Sequence, residues 1–140
     1  ALVMEMEAEP VHVDEDARLL YHAALAHASN HLVTLIASSA ELLRAAGIDD
    51  PRPVLEPLTG AALDNALRLG DHALTGPVVR GDAETVARHI DEIGNVSPQT
   101  ADLYVAMARV TARRAVDAGV LRPADGDAVL EAIESTQGER

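Results

Sequence analysis

The side chains able to do chemistry fall in two stretches of the 140-residue chain. The first runs from His22 to His31 and holds His22, His27, Ser29, Asn30 and His31. His27 and His31 stand four apart, so on a helix their imidazoles share a face and outline two ligands of a metal site. A site needs a third and a fourth. His22 points about 140° from His27 at 100° per residue, Glu41 lies too far along, and no His-Glu-x-x-His pattern occurs. The pair therefore reads as part of a polar face, and no metal is expected. The second stretch is Asp71–Asp82, DHALTGPVVRGD. Two glycines and a proline make it irregular, and it carries Thr75, Arg80 and Asp82. Arg80 could clamp a carboxylate or phosphate with its planar fork; the plain alternative is a surface loop.

Composition removes many other chemistries. All eleven basic residues are Arg, so a Schiff base, a P-loop lysine and a lysine acid are excluded within this chain. There is no Cys, hence no disulfide or thiolate, which agrees with a cytoplasmic location. No Gly-x-Ser-x-Gly or Gly-x-Gly-x-x-Gly occurs, and no catalytic pair stands out among 23 carboxylates. A net charge of −12 repels phosphate backbones, and two Tyr with no Phe or Trp leave little for base stacking. Nucleic acid is not an expected partner. Neither is a membrane, because no apolar run approaches a spanning length. Residues 1–9 carry three Glu and lack the basic start of a signal peptide.

The elements that must position these groups are helices. Residues 16–45 hold neither Gly nor Pro and are rich in Ala and Leu. Thirty helical residues span roughly 45 Å, so one helix is expected to cross the domain with the others packed on it. Its apolar side carries Leu25, Leu32, Leu35, Ile36, Leu42 and Leu43. His27, Asn30, His31, Thr34, Ser38 and Glu41 form a separate polar stripe, and His22 and Ser29 share a line at the apolar edge. Asp14 or Asp16 is expected to cap it, with Gly47 and Pro51 closing it.

Pro53 and Pro57 predict an irregular or kinked 51–58, followed by a helix over 58–69 that buries Leu58, Ala62, Leu63, Ala66 and Leu67. Further helices are expected over 83–93 behind Asp82, over 98–118 behind Ser97-Pro98, and over 124–134, with a frayed tail. Leu103, Ala106, Met107 and Val110 are taken as the buried stripe of the helix 98–118. The fold class is all-α, about five helices around one long central helix. Residues 1–8 resemble a helix end, and Val11-His12-Val13 alternates like a strand. A lone strand has no partner, so residues 1–13 read as the tail of an α/β domain and 14–140 as the helical domain.

The words Tyr21-His22-Ala23-Ala24, Ala28-Ser29-Asn30, Leu63-Asp64-Asn65-Ala66 and Leu74-Thr75-Gly76-Pro77-Val78-Val79-Arg80-Gly81-Asp82 add a resemblance. Together they resemble a domain-of-unknown-function family that follows a Rossmann-like NAD(P)-binding domain. The resemblance covers residue 10 to about 115. It implies a two-domain oxidoreductase of a small carbonyl or imine, with NAD or NADP held mainly by the N-terminal domain. The helical half would form a homodimer and close the substrate cleft, as in the 6-phosphogluconate dehydrogenase C-terminal-like fold. This is similar to β-hydroxyacid dehydrogenases, ketopantoate reductases and pyrroline-carboxylate reductases. Several of those carry a catalytic Lys one turn before an Asn. Here Asn30 matches the Asn, but Ala26 stands at the Lys position. The resemblance then implies His22 as the acid, with Ser29, Asn30, Asn65, Thr75 and Arg80 toward substrate. The alternative is a helical module that dimerises or docks a partner without catalysis.

Overall fold

The computed structural model describes residues 11–138. Five α-helices follow in order: α1 (Arg18–Ala45), α2 (Arg52–Leu69), α3 (Ala83–Val96), α4 (Pro98–Asp117) and α5 (Pro123–Gly138). Short 3-10 turns cover Glu15–Ala17 and Gly70–Ala73, and no strand occurs among the described residues. The all-α class expected from the sequence is therefore present. None of these helices is long and apolar enough to cross a membrane. Val11–Val13 form no strand, and residues 1–10, where a helix end was expected, lie outside the described residues.

The chain forms two compact units, Ala1–Ser39 and Ala40–Arg140. In the first, the turn Glu15–Ala17 leads into α1. Asp14 flanks that turn without a side-chain capping bond; its carboxylate instead lies 3.4 Å from His12 Nε2. The expected aspartate cap of the long helix is thus absent. No side chain of α1 is buried.

In the second unit, the C-terminal end of α1 closes as the glycine predicts. Gly47 sits at φ 92°, and Ile48 N–H reaches back to the Leu43 carbonyl at 3.0 Å. Helix α2 starts at Arg52, whose N–H is accepted by Asp50 Oδ1 at 3.2 Å, and it runs unbroken through Pro57. The irregular 51–58 is corrected for a clear reason. Pro51 and Pro53 sit where the first helical N–H groups lack intrahelical partners anyway, so only Pro57 removes a ladder bond.

The core belongs to α3, α4 and α5. Val86 and Ile90 of α3, Val105, Ala108 and Ala112 of α4, and Val129 and Ile133 of α5 form one cluster, plugged by Val78 from the preceding loop. This corrects two expectations. The core is not built on the long helix, and α4 turns the opposite face inward. Ala101, Val105, Ala108, Ala112 and Ala115 are buried, while Met107 and Val110 are 48% and 51% exposed. Small residues at alternating spacings of four and three let the helices approach closely. A Cβ added at Gly126 on α5 would lie 2.7 Å from Val116 Cγ2, which shows how near α5 comes to the end of α4.

Helix ends follow capping chemistry. Asp82 Oδ1 accepts Thr85 N–H at 3.1 Å, and Ser97 Oγ accepts Thr100 N–H at 3.2 Å. Helix α3 continues past Gly94 to Val96, because the stop is the extended Ser97 that Pro98 demands. Helix α5 likewise continues to Gly138, with Thr136 buried and its hydroxyl donated to the Ala132 carbonyl at 2.8 Å.

Candidate functional site

The apolar stripe expected to bury α2 does not. Leu58, Ala62, Leu63, Ala66 and Leu67 are all exposed, Leu67 at 80%. Helices α3–α5 complete their core without α2, so its apolar side walls a cleft instead. Leu58, Ala61, Ala62 and Ala66 line one side; Ala73, Leu74 and Thr75 continue it after the Gly70–Ala73 turn. The cleft measures about 540 Å³, within the size range of small-molecule sites.

Three polar groups edge this apolar space. Asn65 is half-buried, and its side-chain oxygen accepts Arg68 Nη2–H at 2.8 Å, which leaves the Asn65 amide N–H groups as donors. Arg68 also donates Nε–H to Asp64 at 3.0 Å, fixing that arrangement on the helix surface. Thr75 contributes an exposed hydroxyl. Arg114 of α4 donates to Asp71 Oδ1 through Nε at 2.8 Å and contacts it through Nη2 at 2.7 Å. Both nitrogens share one carboxylate oxygen, so this is not a two-oxygen fork, and the guanidinium keeps further N–H donors beyond this pair.

The structure therefore brings together Asn65 and Thr75 of the expected residues and adds Arg114 and Asp71. It does not place Arg80 there. Arg80 is exposed at the end of a single turn in which Asp82 N–H meets the Pro77 carbonyl at 2.9 Å. Gly81 closes that turn at φ 68°, and a Cβ there would lie 2.9 Å from Asp125 Cβ. The Pro77–Asp82 stretch thus anchors the bundle: Val78 enters the core, Gly81 permits the approach to α5, and Asp82 caps α3. The Thr85 side chain and amide, then Arg80 and His89, hold the Asp82 carboxyl below its ordinary 3.8.

On α1, His22, Ser29 and Asn30 are all exposed. Ser29 donates its hydroxyl to the Leu25 carbonyl at 2.8 Å, and the Asn30 carbonyl accepts Thr34 Oγ1–H at 3.2 Å. These three belong to the first unit, whereas the cleft lies in the second.

Two pairings were missed. Asp71 and Arg114 stand 43 positions apart, and nothing local in the sequence joins them. His89 Nδ1 and the Tyr104 hydroxyl lie 3.0 Å apart across α3 and α4. Burial raises the Tyr104 phenol above its ordinary 10.0, so it keeps its proton.

Against known proteins, the family described as "Domain of unknown function (DUF2520)" matches residues 1–111. No curated protein and no solved structure matches the chain.

Proposed function

The chain therefore belongs to the DUF2520 family, and from that premise we propose that it is the helical dimerisation and substrate-cleft half of an NAD(P)-dependent oxidoreductase acting on a small carbonyl or imine. One observation carries the reading: α1 and α2 bury none of their side chains while α3–α5 close a finished core. Leu19 at 81% exposure and Leu67 at 80% are among the large apolar side chains left uncovered. Each leucine gains about 1.5–3 kcal/mol on full burial, so such faces are interfaces in waiting.

The described residues offer no cradle for the dinucleotide. They include no strand leading through a glycine-rich turn into a helix, the arrangement that cradles a pyrophosphate. In this reading a Rossmann-like domain holds NAD or NADP, and this chain supplies the substrate side. The apolar cleft wall takes the substrate body, the Asn65 amide and Thr75 hydroxyl hydrogen-bond its polar atoms, and Arg114 attracts a carboxylate. The acid role that the resemblance implies for His22, and the orienting roles it implies for Ser29 and Asn30, belong to the first unit and not to this cleft; an imidazole suits the first, because it can give up a proton near neutral pH.

The test joins assembly to binding. Native chain should sediment as a dimer, and the Leu32→Glu/Leu35→Glu variant as a monomer. Protein expressed from the whole reading frame should bind NADPH or NADH. A monomeric native chain overturns the dimerisation role, and a whole protein blind to both dinucleotides overturns the oxidoreductase role.

A second reading, a non-catalytic helical module, draws on Ser29. Its hydroxyl proton already goes to its own helix, at the Leu25 carbonyl. That reading expects His22→Ala to leave turnover of the whole protein unchanged while the oligomer survives.

A further inference from the structure

The two imidazoles of α1 are closer than their spacing requires. His27 Nδ1 and His31 Nδ1 lie 2.7 Å apart, with ring centroids at 4.8 Å and planes at 84°. Both rings are exposed. At this distance one ring donates an N–H and the other accepts it, so the two nitrogens already converge on one proton. We propose that His27 and His31 form a two-nitrogen chelating edge for a divalent transition metal, replacing that shared proton by the ion.

The geometry selects the metal class. With metal–nitrogen bonds of roughly 2.0–2.1 Å, nitrogens this close subtend about 80–85° at the ion. That is near the 90° cis angle of square-planar and octahedral ions and well short of a tetrahedral angle. The edge therefore suits Ni²⁺ or Cu²⁺ better than Zn²⁺. In the hydrogen-bonded pair both nitrogens point along the line between them, so both rings turn about their outer torsions to face an ion beside that line, and the bite angle holds for a turn that keeps their separation; solvent exposure leaves room for it. Among the described residues no group of three or more His, Cys, Asp or Glu converges, so water fills the remaining positions and the ion exchanges readily. Each bound ion also ties one turn of α1 to the next, so binding and helix stability are linked.

Equilibrium dialysis of metal-free chain with Ni²⁺, and separately with Zn²⁺, tests this. One Ni²⁺ per chain is expected, bound more tightly than Zn²⁺. His27→Ala and His31→Ala should each weaken Ni²⁺ by about tenfold or more, while His72→Ala changes it little. Alanine preserves the helix, so lost binding is not lost folding. A saturating Ni²⁺ concentration should also raise the thermal midpoint of native chain and not that of the double variant. Undiminished Ni²⁺ binding by the double variant, absence of binding by native chain, or a preference for Zn²⁺ overturns the proposal.

Discussion

Helices α1 and α2 and helices α3–α5 are made from similar apolar residues and use them in opposite ways. Every residue of the buried cluster comes from Val78 to Ile133, and it consists of Val, Ile and Ala. The leucines of α1 and α2 stay outside it. Small and β-branched side chains pack where helices must come within close reach, as Gly126 does against Val116. Large flexible ones line the surfaces left open. In this molecule the bulk of a side chain is thus a poor guide to burial, and the spacing of small ones a better guide.

The sharpest way to break that contrast is to truncate one residue from each region. Ile133 is fully buried and Leu67 is 80% exposed. Ile133→Ala should cost about 2–5 kcal/mol in urea unfolding, from lost transfer energy and the cavity left behind. Leu67→Ala should stay within about 0.5 kcal/mol under conditions where the chain is monomeric. Equal costs would mean that α2 is packed as tightly as the core and would remove the interface reading.

A second pair of substitutions tests the two faces of α4. Ala108 is buried and Met107 is 48% exposed. Ala108→Leu should destabilise by about 1–3 kcal/mol through overpacking. Met107→Ala should have a far smaller effect on thermal unfolding. The reverse ranking would restore the face that contains Leu103, Ala106, Met107 and Val110.

That face shows what was legible in the sequence. Helix number and most boundaries could be read, because caps and stops are local: Gly47, Asp82, Ser97-Pro98 and Gly119 each act within a few residues. The burial of α4 was less legible: Leu103, Met107 and Val110 keep a four-three spacing as well, and only the greater length of the run Ala101, Val105, Ala108, Ala112 and Ala115 sets the buried face apart. Bulk outweighed length of run in that expectation. Cleft residues Asn65 and Thr75 stood in words that drew notice, yet their partners did not, because Asp71 and Arg114 meet only through tertiary packing. Arg80 looked chemical in a glycine-framed loop whose visible work is structural: Val78 fills the core and Asp82 caps α3.

The smaller effects concern the two caps that frame α3 and α4. Ser97→Ala should cost about 1 kcal/mol in thermal or urea unfolding, because Thr100 N–H loses its acceptor. Asp82 offers a pH-resolved version. Its folded carboxyl is held below 3.8, first by the Thr85 side chain and amide and then by the nearby Arg80 and His89. A depressed folded pKa means that the unfolded chain takes up the proton first as pH falls. The stabilisation is therefore present above pH 3.8 and is lost as pH falls from there through the lower folded value. Asp82→Asn keeps a capping acceptor but removes the titration, since asparagine caps about as well as aspartate. Thermal midpoints measured from about pH 6 to about pH 2 should then fall less steeply for Asp82→Asn than for native chain, with the difference confined to the acid end. Parallel curves would mean that the charge of Asp82 contributes nothing to the cap, and that its hydrogen bond to Thr85 N–H is what holds this end of α3.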